Sequence, residues 1–249
     1  MSRTLNIIYR HIPIRAEKNS RDPNKVRPVW FSYESCFENL IRTIEADPRS
    51  SDVKIIVIFD GILEDFLNDF MVKYYAQYSD TISFKFAKGG SNGATFLIAL
   101  DMIKKSELND TDIIYFLEND YLHQHGWVSK AFEIFESEHN VDIVSLYDHR
   151  DKYEYAMYDN LTSQIIYTKT QHWRTVPSTC GSFLIEKSEM VRDYDIWTSN
   201  LIDYELFPYL QLHRGRKLVT PIPGLSTHSM LGYLSPTIDW EDLSLNSNH

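Results

Sequence analysis

Thr111-Asp112-Ile113-Ile114-Tyr115-Phe116-Leu117-Glu118-Asn119-Asp120-Tyr121-Leu122-His123-Gln124-His125-Gly126-Trp127-Val128 is the stretch that decides the fold class. Residues 112–117 form an apolar run of strand length, Glu118 and Asp120 flank Asn119 at its exit, and Trp127, Ala131, Ile134 and Phe135 then recur at helical spacing. A strand that runs into acids and on to a helix is one unit of an open α/β sheet, where ligands bind outside the strand ends. A tight bend at Asn119 would aim both carboxylates at one hard divalent cation, with coordination positions left for phosphate oxygens. The plainer alternative is an acid that caps the next helix.

The same alternation fills the first 140 residues. Leu5 to Tyr9 reads as the first strand, ending in Arg10 and His11, and a polar, proline-containing loop follows from Pro13 to Pro28, expected to be mobile without ligand. Phe37, Leu40, Ile41 and Ile44 give a helix one apolar face, and Val53 to Phe59 is the β-branched run of a strand buried on both sides, exiting at Asp60-Gly61. Leu63, Phe66, Leu67, Phe70, Met71 and Tyr74 form a second helical stripe, Ile82 to Phe86 a third strand, and Lys88-Gly89-Gly90-Ser91-Asn92-Gly93 a turn into a helix carrying Phe96, Leu100 and Ile103. This order, β-α-β-α-β-α-β-α, requires a mostly parallel sheet with helices on both faces. Val141 to Leu146 adds a strand. From Asp148 to Thr179 the pattern is irregular, with Gln164 to Lys169 as one arm of a hairpin. Cys180 to Ile185 reads as a strand, Ser199 to His213 as a helix and Lys217 to Thr220 as the last strand.

At 249 residues and 43% apolar, the chain suffices for one large domain that buries about three quarters of its unfolded surface. A net charge of −10 without a Lys/Arg stripe argues against nucleic-acid or anionic-lipid partners, so phosphate recognition must be local or metal-mediated. Two distant cysteines, Cys36 and Cys180, no signal peptide and no 18-residue apolar run point to a cytoplasmic, reducing-compartment protein without a transmembrane segment.

Several chemistries drop out. The Gly89 to Gly93 turn brings backbone amides near an anion at a helix start, but it is not a P-loop, and the dinucleotide fingerprint is missing after the first strand. Two cysteines cannot build the usual zinc clusters, and no Gly-x-Ser-x-Gly elbow occurs. His228 is a lone imidazole in a Pro/Gly-rich loop. Lys169, His172 and Arg174 would neutralise phosphate if their hairpin folds over the strand exits; a solvated hairpin face is the alternative.

Asp60-Gly61, the Gly/Ser/Asn turn, Glu118-Asn119-Asp120, Cys180-Gly181-Ser182-Phe183-Leu184-Ile185 and Asp203-Tyr204-Glu205-Leu206 occur in the order found in GT-A glycosyltransferases, and the chain resembles the family 2 type from residue 5 to about 230. The resemblance implies a GT-A, Rossmann-like α/β fold over 1–249, with a nucleotide-binding half (1–140) and an acceptor-binding half (141–249). It implies a nucleotide-diphosphate sugar donor, a divalent metal (Mn²⁺ or Mg²⁺), and a carbohydrate or other hydroxyl acceptor. By the same resemblance Arg10, His11, Asp60, Lys88, Gly90, Asn92, Glu118 and Asn119 line the nucleotide, with Asp60 on the base. Glu118 lies on the ribose or metal side, Asp120 binds the metal with His228 as an additional ligand, and Asp203 is the general base with Glu205 as fallback. The chain departs from the family at Glu118, where the first acid is usually Asp, at Ile202, where the family has Glu, and at Arg10-His11 in place of Thr-Tyr-Asn; residues 13 to 29 match nothing. A sugar-1-phosphate nucleotidyltransferase would share the sheet but needs a Gly-rich, Arg-containing loop after strand one, which Tyr9 to Pro13 does not supply. A catalytically silent carbohydrate- or nucleotide-binding module on this scaffold is the reading from another class.

Overall fold

A computed structural model describes residues 3–13, 26–78, 80–199 and 202–245. The elements begin with β1 (Leu5–His11), α1 (Tyr33–Glu45), β2 (Val53–Asp60), α2 (Leu63–Leu67), α3 (Met71–Gln77), β3 (Ile82–Ala87), α4 (Asn92–Lys104) and β4 (Ile113–Glu118). There follow β5 (Tyr121–His123), α5 (Trp127–Phe135), β6 (Ile143–Val144), α6 (Asp151–Glu154), β7 (Ile165–Tyr167), β8 (His172–Thr175) and β9 (Phe183–Glu186). The chain continues through α7 (Lys187–Arg192), α8 (Tyr194–Trp197), α9 (Asp203–Arg214), β10 (Leu218–Ile222), β11 (Ser226–His228) and α10 (Trp240–Leu245). Most of the loop expected from Pro13 to Pro28 lies outside the described residues.

Two compact units divide the chain, the first drawn from 1–24, 52–119 and 184–200, the second from 25–51, 120–183 and 201–249. In the first, the strand order is β3-β2-β1-β4-β9. β3, β2, β1 and β4 run parallel, in a register that sets Arg10 opposite Glu118, His11 opposite Phe59 and Asp60 opposite Ala87. All seven residues of β1 are buried, as a strand covered on both faces requires. Ala99, Leu100 and Ile103 of α4 join this core with no exposed surface, each large apolar side chain contributing about 1.5–3 kcal/mol. Arg10 and His11 end β1, as expected, whereas the stripe from Leu63 to Tyr74 is two short helices with Leu63 and Leu67 exposed. The break falls where Asp69 accepts from the Met71 amide at 3.0 Å, a side chain competing with the helical ladder.

The second unit is organised by α1. Ser32 caps it, accepting from the Ser35 amide at 2.9 Å while the Ser32 amide donates to the Ser35 hydroxyl oxygen at 3.2 Å. Its buried face carries Phe37, Leu40, Ile41 and Ile44 and packs on β5. Trp127, fully buried at the start of α5, donates to Thr43 Oγ1 at 3.0 Å, and Asp47 accepts from the Ser129 amide at 3.1 Å, which caps α5 from outside the helix. Strands β6-β10-β8-β7 follow in order, β10 parallel to β6 and antiparallel to β8, with β7 and β8 the expected hairpin. A second, two-stranded sheet pairs β5 with β11 antiparallel.

β5 lies between the acids and the helix expected to carry Trp127, in residues to which the sequence reading gave no element, and β11 lies beyond Lys217 to Thr220, the expected last strand. Three-residue strands leave no apolar run to read, which is why both differ from the sequence reading. The strands expected at 141–146 and 180–185 are Ile143–Val144 and Phe183–Glu186, and the helix expected from Ser199 begins at Asp203.

Candidate functional site

In the first unit the parallel register brings four strand ends to one edge, and the expected nucleotide residues gather there. Asp60, at the end of β2, accepts from the Gly89 amide at 2.8 Å, the Gly90 amide at 2.9 Å and the Thr95 hydroxyl at 2.7 Å. Its carboxylate therefore builds the β3–α4 turn. A Cβ on Gly89 would meet Thr95 Oγ1 at 2.5 Å, and Gly90 adopts φ +70°, so both glycines are demanded by the turn's geometry. Arg10 donates to the Asn92 carbonyl at 3.2 Å and to its side-chain oxygen, lies over the Phe96 ring at 5.4 Å, and pairs with Glu118 at 3.7 Å. Asn92 in turn donates to Glu118. Lys88 is exposed on the same turn.

His11 is fully buried, its Nε2 3.1 Å from Asp69 and its Nδ1 3.2 Å from the Asn119 amide nitrogen. Its ring lies against Phe59 and Phe70. Sequence reasoning missed Asp69 and Thr95. Both read as ordinary helix residues, and only the register of β1 and β2 shows what they hold.

In the second unit, the β5–β11 pairing sets His228 opposite Tyr121, the residue after Asp120, and the Ser229 amide donates to the Asp120 carbonyl at 2.8 Å. The imidazole stacks on the Tyr121 ring at 5.3 Å between centroids and 6° between planes, which leaves Nε2 2.9 Å from Asp120 Oδ2. Arg27 Nη2 donates to that same oxygen at 2.7 Å. Burial alone would raise the Asp120 pKa, but His228 and then Arg27, by charge and hydrogen bond, outweigh it and hold the carboxyl well below the usual carboxylate range. Arg27 sits in the proline-containing loop, 93 residues from its partner, and no local pattern announces it.

Asp120 Oδ1 is buried and has no hydrogen-bond partner among the described residues. An ionised, buried oxygen without a donor is what a hard cation satisfies, and Asp120 with His228 offers oxygen and imidazole nitrogen. Among the described residues no group of three or more His, Cys, Asp and Glu side chains comes together as a metal cage. The donor set thus suits an ion that takes its remaining ligands from substrate or water.

Cys36 approaches Ser229 Oγ at 3.7 Å beneath the pair, and burial pushes its thiol up to about 12. Arg174, proposed from sequence as a phosphate neutraliser, is buried against Asp148 at 2.8 Å, while His172 and Lys169 are exposed. Desolvation raises the Asp148 pKa against the opposing pull of Tyr153 and Arg174. Asp203 and Glu205 are exposed in the first turn of α9.

The chain has an α/β fold with a central mixed sheet flanked by helices, matching the GT-A, Rossmann-like arrangement. The chain is similar to the crystal structure of GalNAc-T7 with UDP, GalNAc and Mn²⁺, at a TM-score of 0.56 and 11% identity, over 90% of this chain and 43% of that one. It therefore spans less than half the length of that protein. A structure of an active-site mutant of LgtC also matches, at a TM-score of 0.45 and 12% identity, over 83% of this chain and 69% of that one. No family model and no curated protein sequence matches. Among the described residues no helix is long and apolar enough to cross a membrane.

Proposed function

We propose that the chain is a nucleotide-sugar-dependent glycosyltransferase that uses a divalent cation, Mn²⁺ or Mg²⁺, held through Asp120 with His228. The observation that carries this reading is the Asp120 carboxylate itself: buried, ionised, one oxygen shared by two cationic or donor groups and the other without a donor among the described residues. When bound, the ion would offset the charge that builds on a departing diphosphate.

The nucleotide is assigned to the first unit. There Lys88, Asn92 and the Arg10–Glu118 pair border the strand ends, and Asp60 shapes the turn that presents them. Of the two roles considered for Glu118, its engagement by Arg10 and Asn92 favours the ribose side. His11 and Asn119, joined to each other, position that edge from beneath. In the second unit Asp203 accepts the proton of the acceptor hydroxyl as that oxygen attacks the anomeric carbon, which inverts configuration, and Glu205 is the alternative base. An oxocarbenium-like transition state gains from the acidic surroundings.

Release of nucleoside diphosphate from a panel of nucleotide sugars, with and without Mn²⁺ and with glycan acceptors, tests the proposal. Metal-dependent release that Asp120→Asn abolishes supports it. Binding without release would instead favour a silent binding module, and failure of every nucleotide sugar to bind would overturn both.

A further inference from the structure

The residue least expected at this site is Arg27. Its guanidinium is anchored by the Asp120 carboxylate at 2.7 Å, the Ser229 carbonyl at 2.9 Å, the Phe31 ring at 4.4 Å and the Tyr33 ring at 5.9 Å. Beside it the Val26 carbonyl accepts from the Leu231 amide at 2.8 Å, which fixes the backbone. A permanent cation is therefore built into the fold against the carboxylate whose other oxygen has no donor among the described residues. A divalent ion on Asp120 Oδ1 would share one carboxylate with the guanidinium on Oδ2, and like charges so placed in a partly buried setting repel. One carboxylate cannot serve both cations at full strength.

We propose that Arg27 is the resident counter-ion of Asp120 and that a divalent cation reaches this carboxylate in exchange for it. Without the ion, the guanidinium keeps a buried carboxylate charged and in place, and removing it would leave that charge with His228 alone. With the ion, Arg27 competes, so it sets how tightly the chain holds metal. The side chain is suited to both states: its aromatic and carbonyl contacts do not involve Asp120, so they can retain it near the site after the carboxylate is released. This inference rests on the reading of Asp120 as a metal ligand.

Mn²⁺ binding to the full chain without nucleotide, followed by the electron paramagnetic resonance signal of free Mn²⁺, separates the possibilities. Wild type, Arg27→Met, Arg27→Lys and Asp120→Asn are compared, each with its far-UV circular dichroism. The exchange predicts that Arg27→Met binds Mn²⁺ about tenfold more tightly than wild type or better, as expected when a charge a few ångströms away is removed. Arg27→Lys should stay near wild type and Asp120→Asn should lose the site. Equal or weaker binding by a folded Arg27→Met, with Asp120→Asn still inactive in binding, would overturn the exchange and leave the metal reading standing. Absence of binding in all four proteins would overturn both. Should Arg27→Met fail to fold, wild type labelled with ¹⁵N at the arginine side chains answers the same question: the Arg27 Nε–H signal must move in step with Mg²⁺ saturation, and an unmoved signal at saturation refutes the exchange.

Discussion

Asp60→Ala is the perturbation that asks whether the strand-end acid of β2 holds the fold or serves only a ligand. The carboxylate receives two backbone amides at 2.8 and 2.9 Å and the Thr95 hydroxyl at 2.7 Å, and is itself buried. Hydrogen bonds to a charged group are worth about 1.5–3 kcal/mol each, and a buried donor left unmade costs about 1–3 kcal/mol. Gly90 is exposed, so water can replace its bond. The loss then falls mainly on Gly89 and Thr95, giving about 3–5 kcal/mol for Asp60→Ala. In a domain of this size each kcal/mol lowers the Tm by roughly 2–4 °C, so a fall of about 6–20 °C is expected with no ligand present. Asp60→Asn keeps one acceptor and should lose about half as much. Gly89→Ala drives a methyl onto Thr95 and should destabilise as well. Urea unfolding followed by circular dichroism reads all three, with an unchanged m confirming that compactness is unaltered. Stability of Asp60→Ala within about 1 kcal/mol of wild type would refute the turn-building role.

Three further outcomes follow from the geometry. Arg174→Met strands a buried carboxylate, Asp148, and should cost about 3–5 kcal/mol in urea unfolding; a loss below about 1 kcal/mol would show the pair to be dispensable. The Asp120 pKa is depressed on folding, so the ionised carboxylate adds stability that is fully present above the unfolded value near ~3.9 and is lost as pH falls through the lower folded value. Asp120→Asn should therefore flatten the acid limb of the stability curve, and an unchanged limb would show that Asp120 is not the group responsible. In donor-to-acceptor transfer, Asp203→Asn should slow turnover by about 10²- to 10⁴-fold while donor binding persists. A large loss in Glu205→Gln with near-normal Asp203→Asn would move the base to Glu205, since two residues apart on a helix face different sides.

The alternation of apolar runs and helical stripes made the first 135 residues readable, because strands buried on both faces and amphipathic helices each leave a periodic trace. The grouping of Arg10, Asp60, Asn92 and Glu118 was an expectation from the family resemblance, and parallel strands in register, ending along one edge, show how they come together. What could not be read was set by partners distant in sequence. β5 and β11 are three residues each, and their pairing alone brings His228 to Asp120. Arg27 reaches Asp120 from an irregular loop, and Asp69 breaks a helical stripe by bonding outside the ladder. Asp60 shows a subtler limit: its place at the strand end was legible, but its commitment to the turn amides depends on three-dimensional contacts.

Calorimetric titration of nucleotide sugars into the chain at saturating Mg²⁺, repeated with Asp120→Asn and with metal withheld, asks whether Asp120 holds an ion on which the donor depends. At least one nucleotide sugar is expected to bind wild type with metal present, with binding lost or greatly weakened both without the ion and in Asp120→Asn. Equal affinity in wild type and in a folded Asp120→Asn, with metal making no difference to either, would contradict that dependence.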